Sequence, residues 1–453
     1  MSIRKLIIED VRCFAGRQEF NIRPLTFLVG ENSTGKSTVL GCFQVLHSFI
    51  GRNDYDPDLN FNIEPYQMGA FADIARRATP RTRSFVLGLK FDAKNKNREE
   101  TVGYLLTLEE REKGSEPVVQ EQRVVSTSGE IAFRGIDQEV DLSDERSGSY
   151  RHFEFIDSTR KGETKKFLIK APPYYLDIGI FAMLDISSMM LGAEKGKRPD
   201  KKEEIRKYVQ KLAFYFGKEF FPERDWPARV NAYSFAPIRS KPQRTYNPLK
   251  ESISPEGSDI PMMLMNMFRA DELAWEELKE ELIKFGESSG LFTDIHVRRL
   301  GKSMGDPFQL QIKVKGPKAN MIDVGYGVNQ LLPILVRMFN SDPRTTFLMQ
   351  QPEVHLHPRG QAELSSLLVD LVKQREHNFI VETHSDYMVD RARIEIMKKR
   401  ISPEDVSLIY LEPAGNSVKV HNIEFDGQAN LIGAPVSYRE FFLKESDKLL
   451  GFG

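Results

Sequence analysis

At 453 residues the chain is long enough for two or three domains with large cores, and 64 basic against 65 acidic residues leave a formal net charge of -1. That balance excludes a global basic field drawing the protein onto nucleic acid and leaves only a local patch as a means of contact. Cys13 and Cys42 are the only cysteines, which excludes a disulfide framework and fits a reducing compartment. The N-terminus is too charged and alternating for a signal peptide, and no apolar run reaches ~18 residues, the nearest (Tyr174 to Ala193) being broken by Asp177 and Asp185. The expectation is a soluble cytoplasmic protein with no membrane partner.

Ile3, Leu6, Ile8 and Val11 predict a first strand, Arg12-Cys13-Phe14 a turn, and Phe20 and Ile22 a second strand. The apolar strand from Leu25 then runs into Gly30-x-x-x-x-Gly35-Lys36-Ser37, and Val39, Leu40, Cys42, Phe43, Val45, Leu46 and Phe49 predict a largely buried helix over 37–50. Strand, glycine-rich loop and helix in that order form a phosphate-binding loop. Its backbone N–H groups and the positive end of the helix face the same anion. Asn32, Ser33, Thr34, Gly35, Lys36, Ser37 and Thr38 are the nucleotide-binding candidates, with ATP and Mg²⁺ as cofactors. Lys36 is expected to bridge the β- and γ-phosphates and Ser37 to ligate Mg²⁺, with Thr38 beside it. After an irregular loop over 61–73, Gln67 either reaches the metal or attacking water or lies in an ordinary surface turn, and Ser84 to Phe91 forms a strand.

From Thr101 to Lys170, β-rich runs (Val102 to Leu108, Gln122 to Ser126, Phe167 to Lys170) alternate with polar turns and predict an inserted antiparallel meander. Tyr174 to Phe221 reads as helical, with a charged loop over 193–207 interrupted by Gly196 and Pro199, and no heptad repeat predicts a coiled-coil arm. The segment from Phe235 to Tyr246 sets Arg239, Lys241 and Arg244 among prolines and aromatics; it serves either phosphate or partner contact or a structural tie to the core. Ile260 to Phe285 predicts two helices, the second facing Leu273, Leu278, Leu282 and Phe285 inward, and a strand follows over Gln309 to Val314.

Three pieces then complete a nucleotide site. Gly325-Tyr326-Gly327-Val328-Asn329 is a glycine-rich turn opening an apolar helix, free to grip the γ-phosphate of another subunit because the first loop already holds the β-phosphate. Thr346 to Met349 is a hydrophobic strand ending in Gln350-Gln351-Pro352-Glu353-Val354-His355-Leu356-His357, where a carboxylate ordinarily holds Mg²⁺. Phe379 to Glu382 is another strand, ending in Thr383-His384-Ser385, whose histidine can reach a γ-phosphate. Glu353, His355 and His357 also admit a zinc reading, though a structural site needs a fourth ligand.

Phosphate loop, long insertion, glycine-rich signature, Pro-Glu-x-His-Leu-His-Pro and Thr-His-Ser, in that order, resemble the ABC-type ATPases of the overcoming-lysogenization-defect (OLD), RecF and SMC-like group. The resemblance implies an α/β ABC-type head built from N- and C-terminal lobes: residues 1–100, an inserted β-meander and helical region at 101–300, and a second lobe at 301–453. It also implies two heads sandwiching two ATP molecules, hence a homo-oligomer. Carried over, Gly327 and Asn329 belong to the signature, Gln350 to the metal-binding Walker B position, Gln351 to its catalytic neighbour and His384 to the switch histidine, with Ser37 and Gln67 completing the metal set. Gln350 and Gln351 depart from the two acidic residues usual there. Loss of a general base typically costs ~10²–10⁴ in rate, so slow turnover is expected, with Glu353 or Glu382 as the remaining carboxylates. OLD-type proteins continue into a Toprim nuclease whose metal site needs Asp-x-Asp. None occurs in Val406 to Gly453, where a strand pair precedes an aromatic patch at Tyr438, Phe441 and Phe442. The chain therefore resembles stand-alone ATPase subunits of antiphage systems such as PARIS, with a Toprim partner, and Septu, with an HNH partner. That implies a sensor or scaffold controlling a separate nuclease effector, triggered by a phage protein or DNA. A RecF-like DNA-repair clamp and a purely structural ATP-binding oligomer are the alternatives.

Overall fold

The computed structural model describes residues 3–51, 59–78, 82–95, 98–126, 129–136, 151–160, 163–171, 232–247, 253–303, 305–440 and 448. The helical stretch expected over 174–221, its charged loop, and Phe441 and Phe442 lie outside the described residues. The chain divides into two compact units, one comprising Met1–Ile22, Ser33–Val230 and Pro413–Val420, the other Arg23–Asn32, Asn231–Glu412 and His421–Gly453.

In the first unit, β1 (Ile3–Val11) and β2 (Phe14–Asn21) form a hairpin, and β3 (Leu25–Gly30) leaves for the second unit before α1 (Lys36–Gly51) returns. A short α2 (Phe71–Ile74) precedes a run of long strands: β4 (Ser84–Asn95), β5 (Arg98–Glu110), β6 (Pro117–Ser126), β7 (Gly129–Ile136), β8 (Arg151–Arg160) and β9 (Glu163–Ala171). They make one antiparallel sheet in the order β2-β1-β4-β5-β6-β7-β8-β9. Alternation explains its packing. Phe85, Leu87, Leu89 and Phe91 of β4 stand opposite Leu108, Leu106, Tyr104 and Val102 of β5, and all eight are buried. Tyr104 keeps its hydroxyl satisfied by donating to Gln122 at 2.8 Å. Beside this sheet α1 lies along β1 and β4 with Val39, Leu40, Cys42, Phe43, Val45 and Leu46 buried, as its continuous apolar pattern requires.

A seven-stranded sheet in the order β10-β14-β15-β3-β16-β17-β18 belongs to the second unit, except for the end of β16 and the start of β17 within Pro413–Val420. Its strands are β10 (Ala232–Phe235), β14 (Thr346–Gln350), β15 (Asn378–Glu382), β3, β16 (Val406–Ala414), β17 (Ser417–Phe425) and β18 (Leu431–Ile432), and the first five pair in parallel. A parallel arrangement needs crossovers, supplied by α3 (Ile260–Ala270), α4 (Glu272–Ser289), α5 (Tyr326–Phe339), α6 (Pro358–Arg375) and α7 (Asp386–Met397). A small antiparallel sheet, β11 (Asp294–Arg299), β12 (Phe308–Lys313) and β13 (Ala319–Asn320), packs into the same core. At the centre of that core Phe347 stacks on Tyr233 (6.0 Å), Phe235 (6.0 Å) and Phe379 (5.4 Å), an aromatic ladder crossing three adjacent strands. The stripe on α4 differs from the expected one. Leu278, Leu282 and Phe285 are buried with Trp275, whereas Leu273 is 79% exposed, because five residues before Leu278 falls ~140° round a helix. No helix among the described residues is long and apolar enough to cross a membrane.

Two predictions follow from burial. Phe347→Ala should lower the stability of the second unit by about 3–5 kcal/mol, read from its denaturant midpoint, since its ring contacts with Tyr233, Phe235, His377 and Phe379 and a filled core position are lost together. Burial also pushes His47 and His377 down to about 4 from an ordinary 6.5. The unfolded chain therefore takes up protons first, so stability is complete above pH ~6.5 and falls as pH drops towards ~4. Urea midpoints at pH 7 and 4.5 should show that fall, and His47→Phe should reduce it.

Candidate nucleotide site

The first half of the site follows from how β3 ends and α1 begins. Gly30, Ser33 and Gly35 take φ values of +146°, +65° and +91°, curling the loop before the helix. Gly35 is needed twice over. Its φ disfavours a side chain, and a Cβ there would lie 2.6 Å from Cys13 Sγ and 2.9 Å from the Phe14 ring. Thr34, Lys36 and Thr38 are buried, while Asn32, Ser33 and Ser37 are exposed. Val39 N–H donates to Gly35 O at 3.0 Å, closing the first helical turn directly behind the loop. An exposed Ser37 hydroxyl on the first helical turn and a Cβ-free cradle fit a Mg²⁺-nucleotide phosphate chain.

Arg12 was not among the sequence-derived candidates, although it sits in the β1–β2 turn with φ +46°. Its guanidinium donates to Thr38 Oγ1 at 3.2 Å, to Met68 O at 2.9 Å and to Asp73 O at 3.1 Å. One side chain thus fastens the loop carrying Gln67 to the first turn of α1. Gln67 itself is exposed between buried Tyr66 and Met68, and Gly41 of α1 meets those two neighbours closely, a Cβ there lying 3.2 Å from each.

The second unit brings Gly327, Asn329, Gln350, Gln351, Glu353 and His384 to one edge. β14 and β15 end level, with Gln350 opposite Glu382. Beyond them Gln351 takes φ +43° and donates its N–H to Glu382 O at 2.8 Å. Gln350 is buried at the strand end and Gln351 half-buried. Glu353 is buried, and its Oε1 accepts from Thr383 Oγ1 at 2.7 Å and from His384 N at 2.9 Å. Burial raises its pKa, opposed by those two hydrogen bonds and by the Arg239 charge. The imidazole of His384 is exposed just before the N-cap Ser385 of α7. Gly327 opens α5 against the turn after Glu353, where a Cβ would sit 2.7 Å from His355 O. Asn329 faces the interior, 4% exposed.

The zinc reading is overturned. Glu353 is engaged with Thr383 and His384, the His355 ring stacks edge-on to Tyr326 at 4.6 Å, and His357 Nδ1 accepts from Arg359 N at the start of α6. Among the described residues no group of three or more His, Cys, Asp or Glu could hold a metal ion. The basic stretch resolves towards the structural tie. Arg239 is 2% exposed beneath α5, and Arg244 makes a bidentate pair with Asp323 at 2.7 and 3.0 Å.

The family of AAA ATPase domains matches residues 237–389, which hold the α5 turn, the β14 end and the Thr-His-Ser segment. No curated protein matches. Among solved structures, an SMC head bound to the C-winged helix domain of ScpA is similar at 12% identity and a TM-score of 0.41, covering 94% of this chain and 98% of that one. An SMC head with an extended coiled coil bound to the C-terminal domain of ScpA from Pyrococcus furiosus gives 12% and 0.39 over 99% and 98%. The SMC head domain from Thermotoga maritima gives 12% and 0.35 over 93% and 98%. At those scores the fold rests on the chain's own strand order and loop: it is an α/β P-loop ATPase fold.

The loop geometry yields a direct test. Gly35→Ala should weaken nucleotide binding at least ~10-fold in a fluorescent-nucleotide titration, because the new methyl collides with Cys13 and Phe14 of the β1–β2 hairpin at a φ alanine disfavours, and so shifts the loop.

Proposed function

We propose that this chain is an ABC-type ATPase that pairs head to head around ATP, turns it over slowly, and acts as a sensor or scaffold for a separate nuclease effector in antiphage defence. The observation that carries the reading is the contrast between the two half-sites. The phosphate loop has its glycines, Lys36 and Ser37 in place, whereas β14 ends in the neutral Gln350 and Gln351. Lys36 and the loop N–H groups would bind the phosphates, and Ser37, Gln67 and, from the other unit, Gln350 are the oxygen donors proposed for Mg²⁺, which would neutralise phosphate charge. An amide holds Mg²⁺ weakly and cannot take a proton from water. Glu353, which holds His384 N through its Oε1, and Glu382 are the carboxylates that remain at this edge to take that proton. With one general base lost from a typical ~10 s⁻¹, turnover falls to ~10⁻³–10⁻¹ s⁻¹.

In this reading residues 1–100 and 301–453 are the two ATPase lobes around an insertion at 101–300. The N–H groups of Tyr326 and Gly327, uncapped by any side chain at Gly325, receive the γ-phosphate held by another copy. Exposed Tyr326 and Ile322 flank that helix start and supply apolar area for the second head. The RecF-like DNA clamp is the weaker reading, because Arg239 is buried and Arg244 is paired.

Light scattering with Mg²⁺-ATP should show a monomer-to-dimer shift in the wild type. Lys36→Met should abolish it together with nucleotide binding, whereas Tyr326→Arg should abolish it with binding retained. A monomer at saturating ATP would contradict the proposal. Mobility-shift assays at 0.15 M salt distinguish the clamp: ATP-dependent retention of duplex DNA would favour it.

A further inference from the structure

Arg239 is buried yet loosely held. Its backbone N–H donates to Gln330 Oε1 at 3.3 Å, Nη1 to Pro237 O at 3.4 Å and Nη2 to Gln350 O at 3.5 Å, all at the long limit for a hydrogen bond. Its Nε has no partner among the described residues. The anion that feels its charge is Glu353, which commits Oε1 to Thr383 and His384 and leaves Oε2 unpartnered. Asn329 Oδ1 and Gln330 Nε2, on the first turns of α5, are likewise buried without partners. Four unsatisfied polar atoms from three segments, two of them on opposite charges, are costly in a protein interior. Bringing Arg239 Nε to Glu353 Oε2 would satisfy both charges at once.

We propose that Arg239 and Glu353 form a latch that closes when a phosphate group binds at the start of α5, so that the engaged state of that helix fixes the His384 segment of the same head. The inference rests on the reading in which α5 receives a nucleotide phosphate from a second copy. Gln330 is the mechanical link, because its side chain holds the backbone of Arg239 while its helix carries the phosphate-facing N–H groups. A shift of the first turn of α5 carries the guanidinium towards Glu353. The same carboxylate already holds His384 N and Thr383 Oγ1, so closing the pair stiffens the histidine's backbone. Each head then sets its own switch histidine only after its α5 has engaged the partner's nucleotide, which makes the two sites close together. Arg239 and Gln330 are positioning residues here.

Hydrogen exchange on the full chain, with and without Mg²⁺-ATP, reads the latch at the peptide spanning 380–388. In the wild type ATP should slow exchange at the His384 amide about tenfold. In Gln330→Met, nearly isosteric and neutral, that slowing should disappear while protection of the peptide spanning 26–40 and the dimer shift remain. Arg239→Lys keeps the charge but loses the fork, and should behave likewise. If the slowing at 380–388 persists in both variants, or is missing from a wild type that dimerises, the latch is wrong. If ATP protects 26–40 without producing a dimer, the α5 reading fails and the latch falls with it.

Discussion

The parallel register of β14, β15 and β3 is the constraint on which the second unit depends. Gln350 pairs with Glu382, Glu382 with Leu28, and Leu28 in turn with Ile409 of β16, so β14 and β15 end level while β3 runs two residues further to Gly30. The next residue along each strand keeps the pattern: Gln351 N–H reaches Glu382 O and Thr383 N–H reaches Leu28 O at 3.1 Å. At this carboxyl edge the phosphate loop leaves β3 and the Gln-Gln-Pro-Glu and Thr-His-Ser turns emerge from β14 and β15. In open α/β sheets this carboxyl edge is where ligands bind. The aromatic ladder through Phe347 secures the register from within, since a slip of one residue would send that ring to the other face of the sheet.

Upon that edge the charge distribution decides what the site can do. A strand end carrying two carboxylates would hold a divalent cation firmly and offer a base to water. Here the end of β14 is neutral, and the nearby charges are two buried carboxylates, Glu353 and Glu382, and one buried guanidinium, Arg239. Glu353 spends half of its capacity on organising Thr383 and His384, which makes it as much a structural anchor as a proton acceptor. That division suits a protein in which holding nucleotide matters more than consuming it.

What was legible in the sequence was what is local. Gly30, Gly35, Lys36 and the apolar run behind them specify their loop within ten residues, and the alternation from Phe85 to Val102 to Leu108 specifies antiparallel neighbours joined by short turns. The parallel sheet order was not legible, because β10, β14, β15 and β3 come from segments far apart in the chain, and a four-residue edge strand such as β10 leaves almost no pattern. At Arg239 the sequence left contact and a structural tie both open, because an arginine between prolines carries no periodicity that shows burial; the fold decides for the tie by burying it against α5. Asn329 likewise belongs to a motif that suggests an outward role, yet the apolar stripe from Val328 to Leu332 turns it inward. Arg12 was hidden because its three acceptors, Thr38, Met68 and Asp73, are brought together only by the turn geometry at its own positive φ.

In the proposed function the loop would hold ATP as glue between two heads, and the neutral end of β14 would keep it intact. Isolating the dimer formed with Mg²⁺-ATP, denaturing it at once and separating its nucleotides tests this most directly. About two nucleotides per dimer, predominantly ATP, are expected. Recovery of ADP alone from a persistent dimer, or of no nucleotide at all, would contradict it.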